Sequence, residues 1–419
     1  MDFFNISNTH SVRPFSFSLI LFTFYCLTNV LRWLPVLEVQ MPIVLFCYIL
    51  LLASCRSSKS KKGGLDVVIM LTIILLFFDY FFIFLQGGMR NDSFINRVGA
   101  NYTIFVSFFP LLYVASGNFS KIDCRKFLNI VYFISFITAV TTIVGTFSFE
   151  SPCRELATPD NVELDRLYKS HNIGGYGFIY YLVLLIPILV RELFLNFSVK
   201  KLLLLLTFAF CILRSEYTTA IIMTLLGLAL ALLFQSKSKI LRLGIIVIGI
   251  VVVVSMQELL NWASSSVVDT SYTLKTRFDM MSDYSMYGDA DNDLGIRVFL
   301  YMQSINAFLS SPLFGNLLSF SPHPVGEHSE ILDYLGGSGL FGIAVFFLLL
   351  HFLKKQTALS NINLNNPYIR ATLIIALLIA LFNTFLTPEL YFAILIIPLL
   401  VEMVPKDNVN NKVIKVAIR

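Results

Sequence analysis

Ten arginine, lysine and histidine side chains gather at three places in an otherwise apolar chain: Arg154, Arg166, Lys169 and His171; then Arg214; then Lys275, Arg277, Arg297, His323 and His328. Arginine suits one task here. Its planar fork binds phosphate oxygens two at a time and keeps its charge, so guanidinium groups meeting at one point form a pocket for a pyrophosphate. Arg166, Arg214, Arg277 and Arg297, with His171, are the candidates for such a pocket. Arg214 is the least ordinary of them. It closes an apolar run in Leu213-Arg-Ser-Glu-Tyr217, and an ionisable group at membrane depth is costly unless it is paired or used. Glu216 offers a plain salt bridge instead. His328 and Glu330 stand together at the start of a later apolar run, where an imidazole can take or give a proton at neutral pH and a carboxylate can hold it in place. The bland alternatives are a structural hydrogen bond for His328 and simple solvation for the loop cations.

Three further patterns have simpler readings. Gly337-Ser-Gly-Leu-Phe-Gly342 fits G-x-G-x-x-G, but it follows no strand and lies inside an apolar run, where small residues serve close helix packing. Asp289-Ala-Asp-Asn-Asp293 resembles the start of a calcium loop. Leu294 then stands where that loop needs glycine, and Leu300 where it needs a bidentate glutamate. Asn101-Tyr-Thr103 is a glycosylation sequon at the edge of an apolar run. Six cysteines form no Cys-x-x-Cys pair and no disulfide framework, and only Cys153 falls in an outer loop. No His, Cys and carboxylate grouping has metal-ligand spacing, so neither a metal nor a cofactor is expected.

The elements that must position these residues follow from composition. Hydrophobic residues make up 57% of the 419 and charged residues 14%, where a soluble domain carries about a quarter charged. Mean hydropathy is +0.77. Lipid as solvent demands helices or a closed barrel. The continuous apolar runs at 202–213 and 245–256 lack the alternation of barrel strands. The chain therefore reads as an all-α integral membrane protein, a single polytopic domain over 1–419 with about twelve transmembrane helices. They are expected at 15–33, 36–54, 65–86, 102–117, 128–148, 174–193, 202–214, 218–234, 243–258, 331–353, 371–387 and 390–404. The polar, weakly charged residues 1–13 predict no cleavable leader.

The net charge of +5 does not point to nucleic acid, because the basic residues fall in short clusters between apolar runs. Clusters at 56–62, 121–126, 191–201, 237–242, 354–370 and 406–419 occupy alternate connections. The positive-inside rule puts them, and both termini, in the cytoplasm. The outer side then holds 87–101, a first large loop at 149–173 and a second at 259–330. The second is rich in aromatic and aliphatic residues, and 296–309 has the spacing of an amphipathic helix at the membrane surface.

This combination resembles the Wzy-type O-antigen polymerases and the related O-antigen ligases of bacterial inner membranes. The span count and the two outer loops cover the whole chain. The local likeness rests on Arg166 ahead of the Gly-rich start of a span, on Arg297 followed by Ser311-Pro-Leu-Phe-Gly315, and on His328-Ser-Glu-Ile-Leu-Asp333 followed by Gly339-Leu-Phe-Gly342. His328-Ser329 stands where the ligases more often carry His-Asn, which favours the polymerase. The resemblance implies an inner-membrane, metal-independent glycosyltransferase of lipopolysaccharide biosynthesis. Its donor and acceptor would be undecaprenyl-pyrophosphate-linked oligosaccharide repeats in the bilayer, and its partners a flippase and a chain-length regulator. Arg297, His328 and Glu330 would be catalytic, and Tyr168, Tyr272, Tyr284 and Tyr287 would stack on sugars. Three rivals remain: a ligase with another acceptor, a lipid-linked oligosaccharide flippase or other transporter (kept open by Asp79 inside an apolar run), and a non-enzymatic scaffold.

Overall fold

The computed structural model describes residues 12–56, 65–74, 94–157, 161–195, 197–236, 293–318, 323–356 and 362–404, with short pieces between 76 and 279. Every regular element among these residues is helical. In chain order they are α1 (Val12–Leu27), α2 (Val36–Arg56, opening with a π turn), α3 (Leu65–Ile74), α4 (Phe94–Ala115), α5 (Cys124–Ser148), α6 (Pro152–Glu155), α7 (Val162–Ser170), α8 (Tyr176–Leu195), α9 (Val199–Arg214) and α10 (Thr218–Gln235). After these come α11 (Asp293–Ser310), α12 (Glu330–Gln356), α13 (Pro367–Phe382) and a last run, α14, made of Pro388–Tyr391, a π turn Phe392–Ile396 and Ile397–Met403. Five of the described helices are long and apolar enough to cross a membrane: α2, α5, α8, α10 and the first 23 residues of α12. Most of the run at 243–258, both termini, Asp79 and most of 259–292 lie outside the described residues.

The helices sort by what surrounds them. Every residue of α8 from Phe178 to Val190 is buried, because α9, α10, α13 and α14 pack around it. Hydroxyls knit this interior: Ser135 to the Tyr181 hydroxyl at 2.9 Å, and Thr372 donating to the Leu184 carbonyl at 3.3 Å. Such bonds contribute about 0.6 kcal/mol each between membrane helices. The outer helices instead present large apolar side chains outward along their middles, including Phe133 and Val144 on α5, Leu206 on α9, Leu225 on α10 and Phe347 on α12. That is the pattern of a bundle solvated by lipid.

Two expected spans end early, and both breaks matter. A continuous helix over 15–33 was expected, but α1 stops at Leu27. The chain then turns: the Asn29 amide donates to Asn172 Oδ1 at 2.8 Å, and Gln40 Nε2 donates to the Arg32 and Leu34 carbonyls. A helix over 371–387 was likewise expected, but α13 stops at Phe382. The strap 383–387 is held from outside. Tyr176 donates to the Thr384 carbonyl at 2.6 Å and Tyr301 to the Phe382 carbonyl at 2.7 Å, while Glu330 accepts from the Phe385 amide at 3.1 Å. Non-helical backbone at this depth is tolerated where protein satisfies it or where it lines a cavity.

The late loop folds as a hairpin of α11 on α12. Helix α11 covers the expected 296–309. The Pro312–Gly315 turn packs backbone to backbone on a break inside α12 at Gly339, whose φ of 61° and ψ of −160° interrupt the helix. The amides freed there, Leu340 and Phe341, donate to the Pro312 and Leu313 carbonyls, each at 2.9 Å. A Cβ on Gly339 would lie 2.6 Å from Leu313 backbone atoms, and one on Gly315 2.5 Å from the Gly336 carbonyl oxygen. Gly336, whose Cβ would lie 2.8 Å from the Ser304 carbonyl oxygen, and Gly339 therefore serve close packing. At the start of α12, Ser329 caps the helix by accepting from the Leu332 amide at 3.2 Å. Ser304 of α11 donates to Asp333 and accepts from the Gly326 amide, tying the loop to both helices.

Candidate functional site

One large cavity, about 1820 Å³, opens at a single end of the bundle. It is lined by the end of α1 and the turn after it, the starts of α2, α8 and α10, part of α4, the residues from α6 through α7, α11, the residues before α12, the 383–387 strap and the start of α14. Small-molecule pockets run to about 1,000 Å³ at most, so this volume admits two sizeable groups. The basic positions Arg56, Arg125, Arg191, Lys200, Lys354 and Arg370 lie at the opposite ends of their helices.

Of the ten cations and histidines singled out from the sequence, the cavity brings together Arg154, Arg166, Lys169, Arg297 and His328. Arg154 sits on the one-turn helix α6 after Ser151, and Arg297 one turn into α11. Burial lowers the pKa of Arg154 and the like charge of Arg297 lowers it further, against the opposing pull of Tyr217 and the Glu216 carboxylate. Around Arg297 stand the hydroxyls of Tyr176, Tyr180 and Tyr301, all within its electrostatic reach. Burial pushes the Tyr301 hydroxyl up in pKa, and Arg297 pulls it back. Arg154, Arg166 and Arg297 form no ion pair among the described residues, whereas most carboxylates on the cavity wall have partners. Asp165 pairs with Lys169 at 2.7 Å, Glu155 accepts from Tyr168 at 2.9 Å, Glu216 accepts from Ser151 at 2.6 Å, and Glu389 pairs with Arg32.

Other candidates fall elsewhere. Arg214 is outside the cavity lining: its guanidinium donates to the Thr146 carbonyl at 2.9 Å and stacks over the Phe147 ring at 4.6 Å. His171 is exposed and bonds the Leu167 carbonyl at 2.8 Å, closing the end of α7. Glu330 faces the strap. It holds the Phe385 amide, and among the described residues no hydrogen bond joins it to His328. Tyr168, expected to stack on a sugar, is buried against Phe149 with ring centroids 5.2 Å apart. Arg277, Tyr272, Tyr284, Tyr287 and the 289–292 part of the acidic run lie outside the described residues.

Sequence reasoning missed the ion pair of Arg32 with Glu389. Arg32 donates to Glu389 Oε1 and to the Cys26 carbonyl, and lies over the Tyr25 ring. Glu389 is 3% exposed and presses on Gly177, where a Cβ would come within 2.7 Å of Oε2. The signal was present: Arg32 lay within the expected 15–33 span and Glu389 in the short gap between the last two, positions where an ionisable group is costly unless paired or used. Comparison with protein-family models and with curated proteins finds no match for this chain.

Proposed function

We propose that the chain is a surface-polysaccharide polymerase of the O-antigen type, joining lipid-pyrophosphate-linked oligosaccharide repeats at the outer face of a bacterial inner membrane. The observation that carries the reading is Arg154 and Arg297 on one cavity wall, two half-buried like charges within electrostatic reach of each other and in no ion pair among the described residues. Like charges held together this way disfavour one another unless an anion lies between them. A pyrophosphate on a lipid meets that requirement, with Arg166 at the mouth of the cavity as a third donor.

The chemistry then needs little more. The acceptor sugar hydroxyl attacks the anomeric carbon of the donor. The carbon–oxygen bond to the pyrophosphate breaks, and the lipid pyrophosphate leaves with its charge met by the arginines. His328, which lines the same cavity, takes the hydroxyl proton. Glu330 acts at one remove, by fixing the strap beside the site. The bond energy is stored in the donor, so no metal step is required. The outer face is assigned because the basic helix ends lie opposite the cavity and face the cytoplasm by the positive-inside rule; twelve spans with both termini inside accord with that orientation. A ligase and a flippase make different predictions in cells. Deleting a polymerase gene leaves single repeats on the lipid anchor, deleting a ligase gene leaves no surface glycan, and deleting a flippase gene strands repeat units inside. A gel of surface glycan from the deletion strain separates the polymerase from the other two, the side of the membrane on which lipid-linked repeats collect separates ligase from flippase, and a full ladder would sink all three.

A further inference from the structure

We propose that the wall made by the two helix breaks, Arg32 and Trp33 on one and Asn383, Thr387 and Glu389 on the other, is a subsite for a neutral sugar ring; it rests on the glycan-transfer reading for the identity of that sugar. Six buried side-chain polar atoms lack a hydrogen-bond partner among the described residues, and three of them fall at Asn383, Thr387 and Glu389. All three residues line the cavity, and Asn383 and Glu389 are only 8% and 3% exposed. Burying a polar group without a partner is costly. Here the cost falls on one strap, whose backbone is fixed from three other helices by Tyr176, Tyr301 and Glu330, and on the first turn of α14 that follows it. The backbone is held while the side chains are left unmatched, as in a site built to be completed by a ligand.

The chemistry of the set names the ligand class. Asn383 Nδ2 is a donor, Thr387 Oγ1 can donate or accept, and Glu389 Oε2 accepts. Glu389 Oε1 is already taken by Arg32, so the pair has no net charge to offer an anion. A hydroxyl-rich neutral ring matches donors and acceptors in this mixture. Trp33, 44% exposed and on the cavity wall, supplies an apolar face for the ring to lie on. Phosphate belongs at Arg154, Arg166 and Arg297 instead, which divides the large cavity into a charged part and a neutral one. Gly177 is part of the design, since any side chain there would displace the Glu389 carboxylate.

The test uses full-length protein in detergent and single repeat-unit oligosaccharides, freed by mild acid from the lipid-pyrophosphate-linked repeat units of the source strain. Binding is measured by calorimetry for the unmodified protein and for Thr387→Val and Asn383→Leu, each followed by a thermal melt. The expected result is binding by the unmodified protein, weakened tenfold or more in both variants, with melting temperatures unchanged or raised because an unmatched buried polar atom has been removed. Equal binding by the variants, no binding by the unmodified protein, or binding lost together with a lowered melting temperature would each overturn the subsite. Polymer formation from lipid-linked repeats is measured in parallel. Strap-dependent sugar binding without polymer would retain the subsite and remove the polymerase reading; polymer with strap-independent binding would do the reverse.

Discussion

Arg297→Ala and Arg154→Ala should each lower the polymer-forming rate about 10²-fold at normal membrane levels, the usual effect of one lost charge-assisted contact to a leaving group. Arg297→Lys keeps the charge and loses the fork, so it should also be clearly impaired. Arg214→Ala should behave differently. Its guanidinium is spent on the Thr146 carbonyl and the Phe147 ring, so the variant should lose about 1 kcal/mol of stability with its rate per folded molecule retained. Rate assays normalised by blot, with thermal melts, separate the two classes. Gly177→Ala should lose activity through the Glu389 contact. At this scale the sequence was half legible. Arg166, Arg297 and His328 stood out as charged or titratable groups beside apolar runs, and they share the cavity. Arg214 stood out by the same rule and does not line it. Arg32 and Glu389 obeyed the rule and were passed over, because Arg32 was counted inside a continuous helix and Glu389 in a short connection between two spans.

Elements were more legible than their breaks. Long apolar runs without alternation dictate helices, and among the described residues the chain is helical, with five helices long and apolar enough to cross a membrane. What a run cannot show is where lipid-depth backbone leaves the helix, since that depends on partners far away in sequence. The turn after α1 is stabilised by Asn172, and the strap after α13 by Tyr176, Tyr301 and Glu330. The break in α12 is closer to being readable, because Gly339 and the Pro312–Gly315 turn are both unusual within apolar surroundings. Gly339→Ala forces a Cβ into the Leu313 backbone at a positive φ. It should cost on the order of 1–3 kcal/mol, read as a lowered melting temperature. Leu340→Ala, on an exposed neighbour in the same turn, should melt close to the unmodified protein and serves as the control.

Over the whole molecule, the positions of charge divide the bundle into two ends. One carries the cavity and the other the basic helix termini. A reporter fused near Asp291 should therefore give an extracytoplasmic signal, and a cytoplasmic one would reverse the orientation. Because the donor already holds the bond energy, polymer formation should persist in excess chelator. Loss of activity that a divalent ion restores would reopen the 289–293 acidic run as a site.

Reconstitution measures the central claim directly: the purified chain in liposomes, given a defined undecaprenyl-pyrophosphate-linked repeat unit, with products sized on a gel. The unmodified protein should yield a ladder spaced by one repeat, and Arg297→Ala and His328→Ala should yield the single repeat with at most a trace of dimer. A ladder from both variants at normal protein levels would contradict the placement of the chemistry in this cavity, and no ladder from the unmodified protein would contradict the polymerase itself.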